Sequence, residues 1–406
     1  SSFARASVAA AAGKPAGEGA GQGGGSEGKL DAALQNFYNK ESLRAVSFPT
    51  PPPGAVPFDV IFVHICSLAW DDVRAVGLEN HPLWQRFDVV LTRFNSASSY
   101  SGPAAIRVLR ATCGQTSHAG LYSPVPDRCY LMDSLKRSGF EPNLVMNHDG
   151  HFDDFLKLLQ IQGKLTVPAM PLNGIPVAQH AFDDSPVFDD LAVLSRWLDT
   201  RQKDGVPRVA AYYNTISLHD GNHLVGPDSN RNSLDTYKIR LTRLFDDLDK
   251  FMQKIESSGR RAVVVMVPEH GAALRGDKMQ IPGLREIPSP AITLVPVGIK
   301  VVGPNLRREG DSLRIDAPTS YLAVSQIVAR MLAKSPFAGD SFAPSDYANE
   351  LPTTDFVSEN EGMVVMRRDN RYYLRQGNDG WAEYSGSLPA AGGNDGQIGL
   401  DGKSGH

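Results

Sequence analysis

A chain of 406 residues with 41% hydrophobic content can bury a sizeable core, and its length allows either two or three domains or one large α/β unit of about 250 residues or more. With 41 basic against 45 acidic residues the formal charge is −4, so no strong basic field exists to hold nucleic acid, and that class is set aside. No window approaches the about 18 uninterrupted apolar residues of a membrane span.

Residues 1–55 include "AAAAGKPAGEGAGQGGGSEGK" near their start. Such a composition buries too little apolar surface to offset ordering, so a flexible Gly/Ala/Pro-rich linker is expected there. The chain starts Ser-Ser rather than Met, which suggests a fragment of something longer, and a membrane anchor is expected outside this chain. "FDVIFVHIC" (58–66) is a nearly continuous apolar run, the pattern of a strand buried on both faces. "SLAWDDVRAVG" reads as helix and "FDVVLTRFN" (87–95) as a second strand. The serine-rich "SASSYSGPAA" (96–105) follows, leading into "GPAAIRVLRATCG" as helix. "SLKRSGFEPNLVMNHDG" reads as helix end, glycine stop and strand.

"SPVFDDLAVLSRWLD" predicts a helix capped by Ser185 with Pro186 in its first position. "RVAAYYNTIS" (208–217) is another strand. Over 234–256 Leu234, Tyr237, Leu241, Leu244, Leu248, Phe251 and Ile255 share one helical face, and Gly259 closes the helix. "RRAVVVMVPEHG" is a buried strand ending in a turn, "AITLVPVGIKVV" one or two more strands, and "SYLAVSQIVARMLAK" a last helix. "GMVVMRRDNRYYLR" alternates around Asp369-Asn370 as a hairpin. Residues 386–406 read as a disordered tail.

This alternation predicts an α/β domain over 56–385, with a mostly parallel central sheet flanked by helices and a small C-terminal β-hairpin. Ligands of such sheets bind beyond the carboxyl ends of the strands. The residues leaving those ends are Cys66, the serine loop, His219 and "PEHG".

Among the serines, Ser101 is best placed, because Pro103 suits a first helical turn and puts Gly102 at or near the cap. Free N–H groups and the helix dipole there favour an anion such as a phosphoryl group. A serine at this point is also a common N-cap, and spacing alone leaves both roles open. A serine hydroxyl needs a base or a metal to become a nucleophile, and no Gly-x-Ser-x-Gly elbow is present. Glu269 and His270 are a carboxylate and an imidazole at one strand end, and Cys66 ends another. Together they would leave one position open for substrate or nucleophile, the pattern of a catalytic zinc. Each alone has a plainer role, Cys66 as a small buried hydrophobe and the Glu-His pair as part of a turn. Cys113 and Cys129 would close a loop worth about 3 kcal/mol if paired, or else remain two free thiols.

The segments "FDVIFVHICSLAWDDVRAVGL", "FNSASSYSGPAAIRVLRATCGQ" and "PEHGAALRGDKMQIPGLREIPSPAITLVPVGIK" closely resemble the bacterial cellulose phosphoethanolamine transferases, G subunits of cellulose synthase operons within the alkaline phosphatase superfamily. The resemblance runs from about residue 57 to about 385. It implies a periplasmic catalytic domain of an inner-membrane protein that holds one zinc ion. It also implies transfer of phosphoethanolamine from phosphatidylethanolamine to the 6-hydroxyl of cellulose, beside the cellulose synthase complex subunits. By matching motif, the zinc ligands would be Cys66, the nucleophile Ser101, Glu269 and His270. The disulfide would join Cys113 to Cys129, and His219 and Tyr100 would belong to the catalytic set.

His219 is expected either to carry a proton or to position the phosphate, and Tyr100 either to bond the phosphate or to pack against the loop. The superfamily's second-metal motif, Asp-x-x-x-His, is one residue short at Asp220–His223, so one ion is expected. Arg275, Lys278 and Arg285 follow the Glu-His pair and could meet the lipid phosphate, but loop charges are usually solvated, and they are left out of the site. Tyr372, Tyr373 and Trp381 are candidate sugar platforms, with packing the plainer role. A superfamily phosphodiesterase and a non-catalytic periplasmic scaffold are the rival readings. A sulfatase is disfavoured because "YSGPAA" lacks the Cys/Ser-x-Pro-x-Arg pattern.

Overall fold

The computed structural model of the protein describes residues 24–386. A seven-stranded sheet divides it, built from β1 (Asp59–Cys66), β2 (Val89–Asn95), β3 (Glu141–Met146), β4 (Val209–Thr215), β5 (Ala262–His270), β6 (Leu294–Val302) and β7 (Leu313–Ile315). The spatial order is β7-β2-β6-β5-β1-β4-β3. Every pairing is parallel except those of β6, which runs against both β2 and β5. The carboxyl ends of β1, β2, β4 and β5 therefore share one rim.

The apolar runs are continuous because both faces of the sheet are covered. In β1, Val60 and Phe62 enter one core, with residues of α2 (Ser101–Leu109) and α5 (Tyr321–Ala333). Ile61, Val63 and Ile65 enter the other, with α3 (Asp190–Arg201) and α4 (Ser233–Ser257). Successive strand residues point to opposite faces, so a strand covered twice has no polar alternate.

The structure corrects several expectations. The described part of the expected linker 1–55 is not a linker. Gly24–Glu41 form α1, and Leu34 and Phe37 pack on Val357, Val364 and Met366 of the C-terminal region. Two well-placed apolar side chains supply what the Gly-rich composition obscured. The cap of α3 is Asp189, which accepts from the Ala192 amide at 2.9 Å, whereas Pro186–Phe188 form a short strand. Leu234 faces outward at 51% exposure, while the rest of the α4 stripe is buried.

The expected hairpin, β9 (Met363–Arg368) and β10 (Arg371–Gln376), turns at Asp369 and Asn370 with φ of 47° and 63°. Short side chains that tolerate the left-handed region permit this tight turn. With β8 (Val357–Asn360) and β11 (Ala382–Glu383) it forms a four-stranded antiparallel sheet. Cys113 and Cys129 are joined by a disulfide, and Cys66 is a free, buried thiol. The tail from 387 lies outside the described residues.

Candidate active site

Cys66 is the last residue of β1, and the β1–β5 register sets it opposite His270, across a shift between Ile65 and Cys66. Glu269 and His270 end β5. The next residue is glycine for a steric reason: a Cβ on Gly271 would stand 2.6 Å from the Ala69 Cβ. Ligand atoms of Cys66, Glu269 and His270 all lie within 4.8 Å of one another, and all three residues are buried. Ser101 is half-buried at the edge of this group. It is the first residue of α2, after Tyr100 as N-cap with φ −131° and ψ 149°. It therefore is not the cap, and Gly102 lies one residue further in. The Ser101 hydroxyl instead donates to Cys66 Sγ at 3.3 Å.

Burial drives the electrostatics of this group. It pushes the Cys66 thiol and the Glu269 carboxyl up and holds the His270 imidazole well down, so each group favours its neutral form. The nearby polar groups of Ser101, Asn214 and Cys66 and the charge of Arg285 pull Glu269 back toward ionisation. Asn214 Nδ2 donates to Glu269 Oε1 at 2.6 Å. The opposite end of that amide, Oδ1, accepts from His148 Nε2 at 2.7 Å. His270 Nδ1 donates to the Gly271 carbonyl at 2.9 Å, leaving Nε2 as a lone-pair donor toward the group. Glu269 Oε2 is buried without any hydrogen-bond partner. One thiol, one imidazole and one carboxylate with an unsatisfied buried oxygen fit a divalent cation, which would draw off the thiol proton and stabilise the carboxylate.

The neighbouring serines do other work. Ser96, Ser98 and Ser99 are fully buried. Arg107 Nε donates to Ser98 Oγ at 2.8 Å, and Asn360 Nδ2 to Ser99 Oγ at 2.5 Å. The Glu359 amide donates to the Ala97 carbonyl at 3.0 Å. The C-terminal sheet thus holds the loop that presents Ser101, a contact across some 260 positions that no local pattern announces.

His219 lies just past β4. Its Nδ1 donates to the Asp220 carbonyl at 2.6 Å, which leaves Nε2 as an acceptor. Burial depresses its pKa, and the charges of Arg285 and Asp220 also act on it. Tyr100 stands apart from the buried group at 37% exposure, its hydroxyl donating to Glu286 Oε1 at 3.0 Å. Asp220 and His223 diverge. Asp220 Oδ1 accepts from Ser233 Oγ at 2.6 Å, whereas His223 pairs with His180 in a small sheet.

Arg285 departs from its reading as a solvated charge. Its Nε and Nη1 are buried without partners, and its charge acts on Cys66, Glu269 and His270. No sequence signal separated it from Arg275, which pairs with Asp71, or from the exposed Lys278.

This sheet and rim are the fold of the alkaline phosphatase superfamily. A superfamily member from Vibrio parahaemolyticus superposes with TM-score 0.61 at 12% identity, over 87% of each chain. The C-terminal periplasmic domain of EptC from Escherichia coli, in its complex with Zn, superposes with TM-score 0.57 at 13% identity, over 86% of this chain and 97% of that one. The chain belongs to the family of the cellulose biosynthesis protein BcsG C-terminal domain, which residues 19–381 match. The match begins well ahead of the resemblance read from residue 57 and takes in α1. The cellulose biosynthesis proteins BcsG of Escherichia coli K12 and Salmonella typhimurium LT2 are 47% and 46% identical to it over 356 residues. Those residues are 87% of this chain and 63% of each relative, so the chain spans under two thirds of their length.

Proposed function

We propose that this chain is the periplasmic catalytic domain of an inner-membrane, zinc-dependent phosphoethanolamine transferase. Phosphatidylethanolamine is the donor, the 6-hydroxyl of cellulose is the acceptor, and cellulose synthase subunits are the partners. The observation that carries the reading is the hydroxyl of Ser101, 3.3 Å from Cys66 Sγ at the edge of a buried thiol, carboxylate and imidazole.

Cys66, Glu269, His270 and Ser101 would hold one zinc ion, whose Lewis acidity lowers the pKa of a bound hydroxyl. Ser101 Oγ forms a bond to phosphorus as the bond from phosphorus to the glyceryl oxygen breaks. Diacylglycerol leaves, and a phosphoethanolamine ester of Ser101 remains. The glucosyl 6-hydroxyl oxygen then attacks phosphorus and Ser101 Oγ departs, so two in-line displacements retain configuration. His219 Nε2 takes up the serine proton, passes it to the departing glyceryl oxygen, and later returns the acceptor proton to Ser101. The free amides at the start of α2, before Pro103, meet the non-bridging oxygens together with the unpartnered Arg285 guanidinium.

The test is the intact mass of the zinc-loaded domain after incubation with phosphatidylethanolamine. A phosphoethanolamine adduct is expected on the wild type and not on Ser101→Ala. Diacylglycerol release at the same rate from both proteins would refute the serine ester. An adduct that water removes as fast as a glycan acceptor does would make the enzyme a phosphodiesterase.

A further inference from the structure

Between the rim of the central sheet and the C-terminal sheet lies a polar cleft of about 450 Å³, lined among others by Arg93, Asn95, Asp355, Arg367, Asn370 and Tyr372. We infer that this cleft is the subsite that holds the acceptor glucan chain while one of its hydroxyls reacts at Ser101. The inference rests on the reading of the acceptor as a glycan, and adds where on the protein the chain lies.

The chemistry of the lining selects a polyhydroxylated ligand. Guanidinium and carboxylate groups are planar and offer paired donors or acceptors, which suit vicinal hydroxyls, whereas the buried Asn95 amide is taken up by Val357, Ala97 and Ser358 and only shapes the wall. Among the described residues the Arg93 guanidinium has no hydrogen-bond partner, and it is only half-buried. Arg367 is partly engaged, donating to Asn370 Oδ1 at 2.8 Å. Asp355 and Asp369 interrupt the basic groups, which disfavours a polyanion. The Tyr372 ring is half-buried and held edge-on to Phe356, with centroids 5.1 Å apart. This gives the wall a fixed aromatic surface with a polar tip.

Further space for a chain longer than the cleft lies beside it. A second cavity of about 570 Å³, between α1 and the hairpin, shares Asp355, Arg368 and Asp369 with the first and is lined by Tyr373. Tyr372 and Tyr373 are successive on β10 and so serve opposite faces of the hairpin. Trp381 packs instead against α1, its indole N–H donating to Asp31 Oδ1 at 2.8 Å.

The location suits delivery to Ser101. Asn95 ends β2, and Leu294 begins the antiparallel β6, so the cleft meets the same rim as Cys66 and Glu269. From β2 to β5 is two strand spacings, about 10 Å, and to β1 about 14 Å. Asn95 and Ser101 are six positions apart in the chain, a reach of at most about 22 Å.

Calorimetric titration with cellohexaose tests this, using the wild-type chain, Ser101→Ala, Arg93→Ala and Tyr372→Leu. The wild type and Ser101→Ala are expected to bind alike, and each cleft variant at least tenfold more weakly, while both cleft variants keep the phosphoethanolamine adduct. Failure of the wild type to bind, or wild-type affinity in both cleft variants, would overturn the assignment. So would displacement of cellohexaose by inorganic phosphate, which would mark the cleft as an anion site. Should Tyr372→Leu melt early, Arg93→Ala decides alone. Loss of the adduct with intact cellohexaose binding counts against the transferase reading only, and the reverse pattern against the cleft only.

Discussion

If the proposed site holds zinc, replacing Asn214 with leucine should weaken its binding without touching any of the four proposed ligands. The side chain spans two buried groups, donating to Glu269 Oε1 at 2.6 Å and accepting from His148 Nε2 at 2.7 Å. Burial already raises the Glu269 pKa, and the Asn214 donation is among the contacts that offset it. Its loss makes the carboxylate harder to ionise at neutral pH and frees its orientation. A hydrogen bond to a charged group is worth about 1.5–3 kcal/mol. Partners of metal ligands typically contribute 10–100-fold in affinity, about 1.4–2.7 kcal/mol. The two scales agree, so Asn214→Leu should raise the zinc dissociation constant by about 10–100-fold, read by competition with a chromophoric chelator. Stability should also fall by about 1–3 kcal/mol, because His148 loses its acceptor. The affinity is therefore measured on protein shown to be folded by its melting curve. Zinc affinity within twofold of wild type in folded Asn214→Leu would refute the claim that this amide positions Glu269.

Two further predictions concern stability. The Cys113–Cys129 bond closes a loop of sequence separation 16, so Cys113→Ser with Cys129→Ser should lower unfolding free energy by about 3 kcal/mol in denaturant titrations. A loss under 1 kcal/mol would show that the reduced chain keeps this loop closed. Asp247 on α4 is buried and faces Asp190 and Asp189 at the start of α3. Burial first, then those two charges, raise its pKa to about 7. The folded state therefore binds this proton more tightly than the unfolded chain, whose aspartate titrates near its ordinary 3.8. The resulting stabilisation is present at low pH and is lost as pH rises through about 7. Asp247→Asn should flatten the stability profile between about pH 4 and 7, and an unchanged slope would contradict the assignment.

Local pattern was enough to read six of the seven strands of the central sheet; the three-residue edge strand β7 carries no apolar run and went unread. A strand covered on both faces is apolar along most of its length, with polar residues gathered toward the carboxyl end, and a helix covered on one face repeats its apolar residues every third or fourth. Both signatures are written over a few residues, which is why "FDVIFVHIC" and the stripe ending at Ile255 were legible. The rim followed from parallel strand direction, so the approximate meeting of Cys66, Ser101 and "PEHG" could be expected before any coordinates. Local cues failed where two signals competed, as at Ser185-Pro186 against Asp189, or where composition masked sparse packing residues, as in α1.

Tertiary structure decided the rest. The partner of the Ser101 hydroxyl, the buried unpaired oxygen of Glu269 and the burial of Arg285 depend on which side chains the fold brings together across 35 to more than 200 positions. So does the Asn360 clamp on the serine loop, and so does a cleft built from β2 and a sheet near the far end of the chain. Hydrophobic periodicity reports how each segment meets the core as a whole. It carries no information about which distant polar group a particular side chain will meet, because that choice is made by packing after the segments have formed.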